Sequence, residues 1–175
     1  MGRWLSTRIR ELIADLREEW QTLNERITAF DAEFVSRART DEAARRLATI
    51  PGIGSINATA LVAAVGDGRA FERGRDMAAW LGLVPRQRTT GGKPRLLGIS
   101  KRGNRYLRKN LIHGARAVLP YLAQRDTPLG RWVQGLLARA HKNIVVVALA
   151  NKLARIAWAV LAHGSLFDAV HMANA

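Results

Sequence analysis

From Leu5 to Phe34 the apolar residues Leu5, Ile9, Leu12, Leu16, Trp20, Leu23, Ile27, Phe30 and Phe34 recur in steps of four and three. That period confines the segment to a long α-helix carrying one apolar stripe, the seam of a coiled coil. Two successive steps of four, from Leu12 through Leu16 to Trp20, resemble a stutter and relax the supercoil there. Arg10, Glu11, Asp15, Arg17, Glu18 and Glu25 lie between the stripe positions as the mixed charges of a solvated face. A stripe shows burial without naming its partner, so a second copy of the helix and the chain's own domain both remain open. Residues 1–40 are read as this coiled-coil helix, and residues 41–175 as a compact helical domain.

Charge divides the chain in much the same place. Residues 1–49 hold nine basic and nine acidic side chains, so the whole net charge of +14, from 28 Lys and Arg against 14 Asp and Glu, belongs to the remainder. Between Asp76 and Asp126 there is no carboxylate, while eleven cations fall there: Arg86, Arg88, Lys93, Arg95, Lys101, Arg102, Arg105, Arg108, Lys109, Arg116 and Arg125. Such a block repels itself unless a polyanion neutralises it. With 48% hydrophobic residues the chain buries a real core and is not a disordered basic tail. The absence of cysteine excludes disulfides, iron–sulfur clusters and cysteine-ligated zinc, and the four scattered histidines show no metal-ligand spacing. Asp67, Glu72 and Asp76 sit near Arg69, Arg73 and Arg75 and read as surface pairs, so no metal site is expected. The start of the chain meets Glu11 and Asp15 before any signal-like apolar run, and no stretch reaches the roughly 20 apolar residues of a membrane span. The expectation is a cytoplasmic protein without a membrane partner.

The domain reads as mainly α. A short helix over 41–48 follows an N-cap at Thr40 or Asp41 and stops before Pro51. The turn Ile50-Pro51-Gly52-Ile53-Gly54 comes next, and then a helix capped by Ser55 that stops at Gly66. Over residues 43–66 this is the helix-hairpin-helix pattern, in which Gly52 and Gly54 let backbone N–H groups approach a phosphate at the positive end of the second helix. The turn equally suits a plain junction of two core helices. A helix over Asp76–Leu83, a basic loop or irregular hairpin over 84–104, and a helix from Arg105 to about Leu119 capped by Asn104 follow. Pro120 ends or bends that helix; two more run from Leu129 to about Ala140 and from Asn143 to Leu161, the last apolar over most of its circumference and therefore central.

The basic loop carries the chemistry. Thr89-Thr90-Gly91-Gly92-Lys93-Pro94-Arg95, then Gly98-Ile99-Ser100-Lys101-Arg102-Gly103-Asn104-Arg105, surround hydroxyls with cations and glycines. A hydroxyl attacking a phosphodiester needs such cations to neutralise the phosphate and the charge that develops on it. Gly-Lys-Pro is not a Walker A loop, since no Ser or Thr follows the lysine. Thr89, Thr90 and Ser100 are the candidate nucleophiles. Gly52, Gly54, Lys93, Arg95, Lys101, Arg102, Arg105, Arg108 and Lys109 are the candidate DNA contacts. A phosphate-contacting loop without a covalent role is the alternative.

The string IPGIG, then F-x-x-x-R-D-M-A-A-W-L-G-L-V-P, T-T-G-G-K and G-I-S-K-R-G-N-R-Y-L-R resembles the C-terminal module of the bridge-recombinase family of insertion-sequence transposases, of the DEDD/serine, Piv/MooV-like type. The likeness continues through RWVQGLLARAHKN and ALANKLARIAW, with residues 5–39 similar to that family's coiled coil. It implies DNA strand exchange by a serine nucleophile in this module, joined to a Mg-binding, resolvase-like DEDD domain in an RNA-guided oligomer. The chain starts at the coiled coil, so the expectation is a DNA-binding C-terminal part without the metal-holding half, inactive alone. Where the resemblance places the serine, this sequence has Thr89 and Thr90, whose extra methyl crowds attack and stiffens χ1. DNA, a guide RNA and further copies of the chain are the expected partners; a stand-alone, non-enzymatic helix-hairpin-helix nucleic-acid-binding protein is the alternative.

Overall fold

A computed structural model describes residues 6–169. Helix α1, Thr7–Thr40, starts at Ser6, whose hydroxyl accepts from the Ile9 N–H. It stops at Asp41, where the backbone turns extended. Asp41 serves two helices: its N–H donates to the Arg37 carbonyl (2.9 Å), and its carboxylate accepts from the Ala44 N–H (2.8 Å) to cap α2, Glu42–Leu47. At 1.5 Å per residue, the 34 residues of α1 reach about 50 Å.

The stripe on α1 is uncovered. Ile9, Leu12, Leu16, Trp20, Leu23, Ile27 and Phe30 are exposed, Leu16 and Trp20 to 65%; Leu5 lies outside the described residues. Within α1 only Ala38 is buried, and Phe34 half-buried, where the helix packs on α2 and α3. The reading in which the stripe lies along its own domain is thereby corrected.

A turn anchored by buried Ile50 and Ile53 leads to α3, Ser55–Val65. Its N-cap is Gly54 with no side-chain bond, not Ser55, which is the first helical residue. Helix α4 is Gly74–Trp80, two residues earlier at its start than the sequence suggests, because the Asp76 carboxylate accepts from the Arg73 N–H (3.1 Å) and so caps from inside the helix. Strands β1, Pro85–Thr90, and β2, Lys93–Ile99, form an antiparallel pair. Helix α5, Arg105–Leu122, runs through Pro120. The donor missing there would face Arg116, which is solvent-exposed, so water can serve the freed carbonyl. Helices α6, Pro128–Leu137, and α7, Lys142–His163, follow, and the fold is mainly helical.

Helix α7 is the hub, packing on α5 and α4 and also on α2 and α6. Leu149, Leu153 and Ile156 on α7 meet a core that includes Leu47, Leu61, Met77, Leu107 and Leu111, all essentially inaccessible. Each such side chain contributes roughly 1.5–3 kcal/mol by leaving water. By length and hydropathy α7 is the one described helix that could cross a membrane, but most of it is buried inside the domain. Trp158 ties α7 to the α3–α4 connection, its indole N–H donating to the carbonyls of Gly68 (3.2 Å) and Phe71 (3.1 Å). Lys152 is buried beside Trp132, and desolvation, with Arg155 nearby, lowers its pKa.

Where the α2–α3 turn crosses α5, glycine faces glycine. Gly52 has φ +90°, and a Cβ on Gly114 would overlap the Gly52 carbonyl oxygen. The Gly114→Ala variant should lose about 1–3 kcal/mol of stability through this overlap. Gly135→Ala, in an exposed stretch of α6 where a Cβ meets nothing, should gain roughly 0.5–1 kcal/mol. Urea unfolding of both variants checks the pair of signs.

Candidate nucleic-acid interface

Of the two readings of the basic segment, loop or irregular hairpin, the structure shows the hairpin. Thr90 pairs with Lys93 across Gly91 and Gly92, both at positive φ as a two-residue type I′ turn requires. The register continues through Thr89 opposite Pro94, Arg88 opposite Arg95 and Gln87 opposite Leu96, with an irregularity before Pro85 meets Ile99. Every residue of β1 is exposed, and all of β2 except the half-buried Ile99. A two-stranded ribbon of this kind has no core of its own, so its stability must come from its base.

That base is locked by backbone contact. Ser100 N–H donates to the Val84 carbonyl (2.8 Å) and Lys101 N–H to the Gly82 carbonyl (3.1 Å). Lys101 has φ +57°, the one positive value outside glycine among the described residues. Residues 80–82 and 101–103 cross so closely that a Cβ on Gly82 would overlap the Arg102 carbonyl oxygen, and one on Gly103 the Trp80 carbonyl oxygen. Arg108 closes the crossing. Its guanidinium, on a residue 9% exposed, donates from Nη1 to the carbonyls of Leu81 (2.9 Å) and Arg102 (3.1 Å). Arg108 reads from the sequence as a DNA contact; the structure turns it inward, where it positions the hairpin. The signal was present, since 108 falls in step with buried Leu111, Ala115, Leu119 and Leu122 on one face of α5.

The other candidates separate into three places. Thr89, Thr90, Lys93 and Arg95 lie at the far end of the ribbon. Ser100, Lys101 and Arg102 lie at its base, Ser100 half-buried and the two cations exposed. From Lys93 to Ser100 the strand spans about 23 Å at 3.3 Å per residue, so Ser100 and the two threonines cannot serve one phosphate. Arg105, Lys109 and Arg116 are exposed along one face of α5, with His113 between the last two, and the three cations extend the positive surface away from the base. Among the described residues none of the cations from Arg86 to Arg116 forms an ion pair.

Gly52 and Gly54 lie elsewhere, in a cleft of about 820 Å³ between the end of α1, the turn and α5. Gly52 is there for close packing on α5, while Gly54 leaves the first N–H groups of α3 without a side-chain cap. Asn57, 7% exposed, lines this cleft with an unpartnered Oδ1, and the Nδ2 of Asn110 is likewise unpartnered. The lining holds Asp31 and His113 but no Lys or Arg, so the strong positive field belongs to the hairpin and α5.

Among the described residues no group of three or more His, Asp or Glu side chains could hold a metal ion. Asp67 pairs with Arg69 (3.3 Å), Glu72 with Arg73 (3.3 Å), and Asp76 caps α4.

Comparison with known proteins bears on this surface directly. Residues 44–127 match the transposase IS116/IS110/IS902 family. The matched stretch runs from α2 through the hairpin to the N-cap of α6, so it contains every candidate residue described above. The chain is 50% identical over 157 residues to a protein of Pseudomonas aeruginosa named probable family 20 transposase, which covers 90% of this chain and 46% of that protein. It is 46% identical over 157 residues to the transposase for insertion sequence element IS1328 of Yersinia enterocolitica, covering 90% of this chain and 47% of the relative. A pilin gene-inverting protein of Moraxella bovis is 32% identical over 126 residues, 70% of this chain and 38% of that protein. The chain spans less than half the length of these curated relatives.

The inward turn of Arg108 has a measurable consequence. Arg108→Ala should cost roughly 2–3 kcal/mol, because two carbonyls lose a charged donor. Arg105→Ala, on the exposed face of the same helix, should stay within about 0.5 kcal/mol. Thermal unfolding followed by circular dichroism separates the two.

Proposed function

We propose that this chain is the DNA-binding C-terminal part of an insertion-sequence transposase acting in DNA recombination. The observation that carries the reading is the positive surface built by the hairpin, its base and α5, with no carboxylate between Asp76 and Asp126 to neutralise it. The family match and the transposase relatives support it. Cations of this kind hold DNA through its phosphates, which fix register without reading bases.

Strand exchange itself would need more than these residues. A threonine hydroxyl at the ribbon's end would attack a phosphodiester, forming a phosphothreonyl ester and releasing a DNA hydroxyl. The resemblance supplies a metal-binding acidic domain for that step, and a guide RNA as a further partner. In this reading the chain works in the cytoplasm on DNA.

The uncovered stripe of α1 supports a second element of the proposal, self-association as a coiled coil. Leu12, Leu16, Leu23 and Ile27 are left exposed by the chain's own domain, and mixed charges flank them. Sedimentation should find the unmodified chain oligomeric and the Leu16→Asp, Ile27→Asp variant monomeric. An unmodified chain that sediments as a monomer contradicts the coiled coil.

DNA binding is tested by its salt dependence. With about six phosphates contacted on duplex DNA, log K against log salt should have a slope near −5. Replacing Lys101, Arg102 and Arg105 by Ala should weaken binding to unrelated sequences alike and flatten the slope by about 2–3. A slope near zero contradicts the proposal.

A further inference from the structure

The hairpin has two faces of different chemistry. Cross-strand partners project to the same side of a ribbon, and successive rungs alternate sides. Arg88 opposite Arg95 and Thr90 opposite Lys93 therefore share one face. Gln87 opposite Leu96 and Thr89 opposite Pro94 share the other, and the Gln87 amide donating to the Thr89 hydroxyl (3.2 Å) joins two residues of that side. Over these four rungs one face holds three cations and a hydroxyl and the other holds no charge, while Arg86 lies at the irregularity outside the paired rungs.

Arg88 and Arg95 directly oppose each other without a carboxylate partner, an arrangement that destabilises the free ribbon. An anion between them removes that cost. The ribbon is slender, exposed at every residue but Ile99, and clamped at its base. The DNA major groove, about 12 Å wide, admits a two-stranded ribbon, and paired arginines match the acceptors of guanine there.

We propose that the β1–β2 ribbon enters the major groove of duplex DNA with its Arg88, Thr90, Lys93 and Arg95 face on the DNA. This deepens the DNA-binding reading above and rests on it. Thr90, and not Thr89, then lies on the side of the nucleic acid. The same geometry makes the ribbon a discriminator between duplexes, because the major groove of A-form RNA is too deep and narrow for side chains to read.

The test moves charge between faces without changing its amount. A variant with Arg88→Gln and Arg95→Gln should bind a DNA duplex about tenfold more weakly or worse. Adding Gln87→Arg and Leu96→Arg to it restores the net charge but puts both cations on the opposite face. This face-swapped variant should bind as weakly as the first, with unchanged thermal unfolding because none of the four residues is buried. Restoration of full binding by the swap overturns the proposal, leaving a surface that responds to charge alone. Duplex RNA of the same sequence should compete about tenfold less well than duplex DNA; equal competition also overturns it. An unmodified chain that binds no nucleic acid would instead overturn the DNA-binding reading itself, so the two failures are distinct.

Discussion

The Arg108 guanidinium is the constraint on which the placement of the basic ribbon depends. It reaches back from α5 to the carbonyls of Leu81 and Arg102, which face each other where the chain leaves α4 and returns before α5. Without it two carbonyls at a tight crossing would be unserved, a cost comparable to a tenth or more of the roughly 5–15 kcal/mol that holds a domain together. Gly82 and Gly103 allow the crossing to close, and the Ser100 and Lys101 N–H groups extend the ladder of the hairpin into the domain. A ribbon too small to be stable alone is thereby carried by the same helix, α5, that packs against the central helix α7.

That arrangement reconciles a helical core with a charge that the core cannot use. Cations spread over a ribbon and one helix face repel one another, and in the free chain water and salt absorb the repulsion. Bringing a polyanion to the surface relieves it. Helix α1 is different: it carries six basic and seven acidic side chains and leaves its apolar stripe to solvent. The exposed charge and the exposed apolar stripe thus lie on different elements, the hairpin with α5 and the helix α1.

Much of this was legible in the sequence because it follows from periodicity and capping. The stripe of α1, the caps at Asp41 and Asn104, and the central apolar helix α7 each rest on local rules, and the structure places them there. What sequence reasoning missed depends on crossings between distant segments. Arg108 looks like one more cation until Leu81 and Arg102 are beside it. Gly52 looks like a phosphate-approach glycine until Gly114 of α5 fills the space next to it. Gly91-Gly92 between alternating residues did signal a hairpin, but charge on both strands obscured it; only the register assigns Thr90 to the cationic face and Thr89 to the neutral one.

Amide hydrogen exchange, measured with and without duplex DNA, tests most directly whether the clamped ribbon is the nucleic-acid surface. In the free chain residues 86–97 should exchange rapidly, while residues 80–84 and 105–111 stay protected by the crossing and by α5. Addition of DNA should slow exchange across residues 86–97. Slowing confined to residues 50–57 around the α2–α3 turn, with the ribbon unaffected, would contradict the account.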